Sequence, residues 1–244
     1  MESKTNRGGR INKRQDMPMI LFCGDPHGHS GHIIEAVQEH QPAAVILLGD
    51  LQAQRPLEIE LATILQKTEV WFIHGNHDTD SEADHDHLFG SAMAERNLHG
   101  RVVEVAGLHI AGLGGVFRGK VWTPRHRPPS KIPNSTWPDA AKATFGAGAC
   151  HSLTHRSTIF PDDYERLLKQ RADILVTHEA PSAHPHGFAA IDLLPAAWVC
   201  KRLSVATTTT SLTTALSAPG LGLRLLAWAF AASSTRTDRP EPRM

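Results

Sequence analysis

Cysteine is scarce in this sequence, with three in 244 residues, an odd number in no paired pattern. That excludes a disulfide framework and suits a reducing compartment, so the expected location is cytoplasmic. An excess of either charge is absent too. Twenty-five Lys and Arg face 25 Asp and Glu, which leaves no global field to advertise nucleic acid or an acidic membrane as a partner. Tyrosine occurs once, and with neutral charge this gives no strong nucleic-acid signal. Long hydrophobic runs are missing: Leu221 to Ala232 is apolar but short and interrupted by Arg224, so no membrane span is expected. The N-terminus is polar and basic without an apolar core, and no secretory signal is visible. What remains is a chain long enough for one large α/β domain and unusually rich in histidine, with sixteen.

Several of those histidines fall in three turns of the same design. Met19 to Cys23 runs into Gly24-Asp25-Pro26-His27-Gly28-His29, Ala44 to Leu48 runs into Gly49-Asp50, and Val70 to Ile73 runs toward Gly75-Asn76-His77-Asp78. Each apolar run reads as a buried strand ending in a glycine-containing polar turn. Their spacing of about 25 residues is what successive strand-helix units require. The strand ends then present Asp25, His27, Asp50, Asn76 and His77 together. Carboxylate, imidazole and amide oxygen form a mixed ligand set suited to Mn²⁺, Fe or Zn²⁺ more than to Mg²⁺ alone. Two acids with neutral partners leave a two-metal centre net positive, and such a centre attracts phosphate.

These blocks, in this order and spacing, resemble the first three signatures of the calcineurin-like metallophosphoesterase superfamily, and Val176-Thr177-His178-Glu179-Ala180-Pro181 resembles the fourth. The resemblance covers roughly Met19 to Leu203. It implies an α/β fold, a four-layer αββα sandwich of two mixed sheets, with the domain over 18–203. It implies two divalent metal ions, manganese first with iron or zinc as further fits, held by Asp25, His27, Asp50, Asn76 and His178, with Asp50 shared. A bridging hydroxide would attack phosphorus, His77 would assist the leaving oxygen, and Asp78 would orient its ring. The implied partner is a phosphorylated small-molecule or nucleotide substrate, with monoester and diester both open. Ala53 and Gln54 stand where protein serine/threonine phosphatases carry an acid and an arginine, which argues against a protein phosphatase.

Around this frame, residues 1–17 read as a disordered basic extension. Ile33, Ile34 and Val37 give a helical stripe with Ser30 as a cap, and His29 and His32 read as solvated turn histidines. A helix is expected through Leu57, Leu61, Ile64 and Leu65. The run from Asp80 to His87 reads as a solvated polar loop. A hairpin is expected from Val102 to Gly112 across Ala106-Gly107, a helix over Asp162 to Arg171, a strand over Asp173 to Thr177 and a short helix over Ile191 to Cys200. Between hairpin and helix lies a long Pro-rich region, read as a substrate-contacting lid or a solvated basic loop, with Arg118, Lys120 and Arg125 as phosphate-contact candidates.

One piece of the family pattern is missing. The closing Gly-His-x-His is nowhere in the sequence, and Ser204-Val205-Ala206-Thr207-Thr208-Thr209-Thr210 stands at its place. Reading each codon from the preceding third base turns an Ala-Thr-Thr-Thr run into Gly-His-His-His when those bases are G and then C. A frameshift near Leu203 to Ser204 is therefore expected, making 204–244 an atypical, out-of-frame tail; a diverged natural C-terminus is the alternative. The ligand positions 207 and 209 then carry threonine hydroxyls, poor donors for transition metals. Metal binding should weaken, the edge of the second sheet should be lost, and apolar surface should be exposed. The rival reading of function is a non-catalytic protein that uses the sandwich as an interaction scaffold.

Overall fold

The structure, a computed structural model, describes residues 18–119, 121–122, 124, 153–197, 203–206, 214–218 and 223–229, the last three segments as backbone strands. The three apolar runs form β1 (Met19–Gly24), β2 (Ala44–Leu48) and β3 (Glu69–Ile73). They lie parallel, with Leu21 level with Val45 and Val45 with Val70, so all three end on the same sheet edge. The expected hairpin forms β4 (Arg101–Val105) and β5 (Leu108–Leu113). Ala106 and Gly107 turn it at φ 50° and 82°, the left-handed pair a two-residue turn requires. β6 (Ile174–Thr177) lies parallel to β5.

The C-terminal backbone corrects the expected loss of the second sheet's edge. Its strands are β7 (Leu203–Ala206), β8 (Thr214–Ala218) and β9 (Leu223–Ala229). β7 pairs parallel with β6, Ala206 level with Thr177, and so occupies the edge that was to be exposed. β9 pairs parallel with β1 and antiparallel with β8, although no sheet alternation is evident in the sequence there. The sheets run β3-β2-β1-β9-β8 and β4-β5-β6-β7, and both are mixed.

Period-two alternation sets the layers. Ile20 and Phe22 of β1, Ile46 and Leu48 of β2, and Ile73 of β3 face inward against Ile110, Ile174 and Val176, filling the space between the sheets. The intervening residues Leu21, Cys23, Val45, Leu47 and Phe72 face outward onto Ile33 and Val37 of α1 (Gly31–His40) and onto Leu57, Leu61, Ile64 and Leu88. Each such fully buried Leu, Ile or Phe contributes about 1.5–3 kcal/mol. The outer face of the other sheet is covered by Tyr164 and Leu167 of α5 (Pro161–Leu168) and by Ile191 and Leu194 of α6 (Ala189–Ala197). Tyr164 donates its hydroxyl to the Ala190 carbonyl at 2.8 Å and pins those two helices together. The result is the four-layer αββα arrangement.

Local details differ from expectation. The Leu57 to Leu65 stripe is two short helices, α2 (Leu57–Glu60) and α3 (Ala62–Leu65), separated at Leu61, which turns at φ −100°, ψ 11°. The polar run is a helix, α4 (Glu82–Phe89), whose cap Ser81 accepts from the Asp84 N–H. Ser30 occupies the cap position of α1 but makes no side-chain cap bond. His32, expected in solvent, is half-buried in the first turn of α1, and burial lowers its pKa. Residues 1–17, the core of the Pro-rich region, and Lys120 and Arg125 lie outside the described residues.

Candidate metal centre

The chain reaches the sheet edge through two strained turns. Asp25, His27, Asp50 and Gln52 have φ of 47°, 44°, 50° and 43°, the left-handed region that costs an L-residue roughly 1–2 kcal/mol each. Backbone bonds between the turns hold them there: His27 N–H donates to the Asp50 carbonyl at 3.0 Å and Gly28 N–H to the Leu51 carbonyl at 2.8 Å. Strain clustered in this way marks a functional site. Two glycines make the room. A Cβ on Gly75 would lie 2.2 Å from Asp50 Oδ1, and one on Gly49 would lie 2.5 Å from His178 Nδ1.

Asp25, Asp50 and His178 converge, their ligand atoms all within 4.8 Å of one another. The two carboxylates are buried, and Asp25 Oδ1 has no hydrogen-bond partner. Burial first, then the charge of Asp50, raises the Asp25 pKa against the opposing pull of His178, His27 and His77. His178 Nδ1 lies 3.0 Å from the Leu48 carbonyl, which can only accept, so Nδ1 carries the hydrogen. Nε2 is left facing Asp50 Oδ1 at 3.5 Å. Asp50 Oδ1 also accepts the His77 N–H at 2.9 Å.

The other predicted residues surround this group. His27 is outside the tight trio; its ring lies 5.8 Å from the His77 ring, and its Nδ1 is 2.7 Å from Gln52 Oε1. Asn76 heads the 3-10 turn His77–Thr79, and its carbonyl is 3.3 Å from Thr79 Oγ1. Asp78 does not meet the His77 ring as expected. Its carboxylate instead accepts the Gln52 N–H and the Gly75 N–H, both at 2.8 Å, and ties the second strand end to the third. Burial raises its pKa to about 6. The carboxylate at the His77 ring is Asp80, 2.6 Å from Nδ1. Gln52 and Asp80 had no motif to reveal them; only the folded turns bring them into place.

Arg118 is linked to the His77 turn through Ser157. Its Nη2 is 3.3 Å from Ser157 Oγ, which accepts from Thr79 Oγ1 at 2.8 Å. Its Nε is buried with no hydrogen-bond partner. A second His-acid group on α4, Glu82, His85 and Asp86, has exposed carboxylates and a half-buried ring, and Glu82 is engaged by Arg156 at 2.9 Å.

The buried carboxylates and the imidazole at the strand ends of this αββα sandwich are a donor set for a divalent cation. The chain belongs to the calcineurin-like phosphoesterase family, whose pattern matches residues 18–206. That family consists of metal-dependent phosphoesterases. The chain is also similar to a protein of Haemophilus influenzae described as uncharacterized, at 44% identity over 174 residues, which is 71% of this chain and 76% of that protein. No solved structure matches it. Among the described residues, no helix is long and apolar enough to cross a membrane.

Proposed function

We propose that this protein is a two-cation phosphoesterase whose centre is held by Asp25, His27, Asp50, Asn76 and His178. One observation carries the reading: Asp25 Oδ1 is buried and unpartnered beside a second buried carboxylate and an imidazole. Two carboxylates in one buried pocket repel each other and lose hydration, and a divalent cation reverses both penalties. The donor set suits manganese first, with iron and zinc as further fits. When bound, such cations supply Lewis-acid activation of water and neutralise phosphate charge.

The chain's own residues do the remaining work. Asp50 has two oxygens with which to serve both cations. His77, held at Nδ1 by Asp80, presents Nε2 as the proton donor to the leaving oxygen. Arg118 contacts a non-bridging phosphate oxygen, with Lys120 and Arg125 as further contacts from the same region. The substrate is a phosphomonoester or phosphodiester on a small molecule or nucleotide. Threonine at positions 207 and 209 weakens cation binding and reduces turnover, and it favours the second reading, a non-catalytic interaction scaffold.

The test is hydrolysis of p-nitrophenyl phosphate and bis(p-nitrophenyl) phosphate with added Mn²⁺, beside an Asp50→Asn control. Mn²⁺-dependent release that is lost in the control supports the enzyme. A chain that takes up no Mn²⁺ and cleaves neither ester leaves the scaffold reading.

A further inference from the structure

We propose that Gln52 is a positioning residue of the metal centre, its side-chain oxygen fixing His27 with hydrogen on Nδ1 so that Nε2 is free to bind the cation. The inference rests on the reading of His27 as a ligand. Gln52 Oε1 lies 2.7 Å from His27 Nδ1, and an amide oxygen can only accept. The hydrogen between them therefore belongs to the ring, and the lone pair falls on Nε2. The other ring of the centre follows the same design, with His178 Nδ1 against the Leu48 carbonyl and Nε2 toward Asp50. Metal-binding imidazoles are oriented in this way, through the nitrogen that does not bind.

The backbone of Gln52 is built for the task. Its φ of 43° is left-handed, a conformation a glutamine adopts only where the surroundings impose it. Its N–H donates to Asp78 Oδ1 at 2.8 Å, and its carbonyl accepts from Gln54 Nε2 at 2.9 Å. The Asp78 carboxylate in turn holds the Gly75 N–H. One residue thus joins the ends of β1, β2 and β3, with its side chain on the first, its backbone on the second and Asp78 leading to the third. It stands two residues after Asp50, where no ligand signature marks it.

The experiment uses the full chain stripped of metal and titrated with Mn²⁺ by calorimetry. Gln52→Met keeps the side-chain length and removes the acceptor; Gln52→Glu keeps an acceptor. The expected result is a loss of Mn²⁺ affinity of about 10- to 100-fold for Gln52→Met, near-native affinity for Gln52→Glu, and similar melting temperatures for both metal-free variants. Long-range proton–nitrogen NMR of the metal-free protein should show His27 hydrogen on Nδ1 in the parent and a mixture in Gln52→Met. Equal losses in both variants, or an unchanged tautomer, overturn the proposal and leave Gln52 a structural turn residue. A parent chain that binds no Mn²⁺ overturns the metal reading itself, which is a different outcome from a parent that binds while Gln52→Met matches it.

Discussion

His77 Nδ1 lies 2.6 Å from Asp80 Oδ2, across one turn of 3-10 helix. Burial lowers the His77 pKa, but the Asp80 hydrogen bond and the charges of Asp50, Asp80 and Asp78 outweigh it, and the net shift is upward. A ring that holds its proton more firmly near neutral pH suits a donor to a leaving oxygen. His77→Asn should lower kcat by about 100-fold or more. Both side chains of the pair are about half exposed, at 45% and 55%, so Asp80→Asn should lower kcat only about two- to fivefold, the scale of a solvent-screened pair. Steady-state kinetics on both variants checks the ranking, and equal damage would make Asp80 more than an orienting group.

Gly75 and Gly31 form a matched pair of controls. A methyl on Gly75 meets Asp50 Oδ1 at 2.2 Å and the Asp50 backbone nitrogen at 2.5 Å, whereas one on Gly31 meets nothing within 4 Å. Gly75→Ala should displace the Asp50 carboxylate, abolish Mn²⁺-dependent activity and destabilise the fold by about 2 kcal/mol or more. Gly31→Ala, at the first position of α1, should be neutral or stabilising by up to about 1 kcal/mol. Urea melts of the two variants decide this.

Asp25 makes the metal-free protein and the loaded protein respond in opposite directions. Its pKa is raised in the fold, by burial and then by Asp50, so the folded state holds that proton more readily than the unfolded chain does. The ionised form therefore weakens the metal-free fold, and stability from this group falls as pH rises through the folded pKa. At pH 7 Asp25→Asn should raise the melting temperature of the stripped protein and erase most of the gain from added Mn²⁺. In the parent that gain should reach about 2.7 kcal/mol at a hundredfold excess over Kd. Thermal melts with and without chelator give all four values; a stripped variant less stable than its parent would contradict the account.

Much of this site could be read before folding because it rests on local pattern. The apolar runs into Gly24-Asp25, Gly49-Asp50 and Gly75-Asn76 needed only strand alternation and a turn, and the structure places all three on one edge. What escaped were contacts between turns far apart in sequence: Gln52 with His27, 25 residues away, and Asp78 with Gln52, 26 away. The exchange of Asp78 for Asp80 at the His77 ring is of a different kind, since both are near in sequence and only the 3-10 turn selects between them. The α4 helix escaped for another reason: its apolar side chains Leu88 and Phe89 stand together at its end and give no helical stripe, although Ser81 and Asp84 carried the capping spacing.

A buried pair away from the centre sets an acid limit on stability. His99 Nε2 lies 3.2 Å from Asp163 Oδ2, with side chains 7% and 13% exposed. Burial raises the Asp163 pKa, but the His99 hydrogen bond and charge, Arg166 and the Phe160 N–H outweigh it, leaving the carboxyl below its usual range. A depressed carboxyl contributes stability that is complete above its unfolded pKa of about 3.9 and is lost as pH falls through the folded value. Asp163→Asn should cost about 3 kcal/mol at pH 7, and the gap between parent and variant should close below about pH 4. Denaturant melts across that range test it; a gap that stays constant to pH 3 would assign the effect to packing.

The threonine run supplies the last prediction, and two findings bear on it in opposite directions. The family match ends at residue 206, the last residue of β7 and the point where the out-of-frame stretch was expected to remove the closing histidines. Yet β9 enters the first sheet beside β1 in a register running from Met19 to Gly24, and a tail translated out of frame has no reason to supply such a strand. Thr207 and Thr209 themselves lie outside the described residues. The coding DNA separates the two. The expected outcome of sequencing codons 198 to 215 is a shifted frame that reads Gly-His-x-His at 206–209 and stays open, and repair of that frame should strengthen Mn²⁺ binding and raise hydrolysis. If the shifted frame closes or lacks the motif, the threonines are genuine. The centre would then have to work with Asp25, His27, Asp50, Asn76 and His178 alone, and weak single-cation binding would be the property to measure.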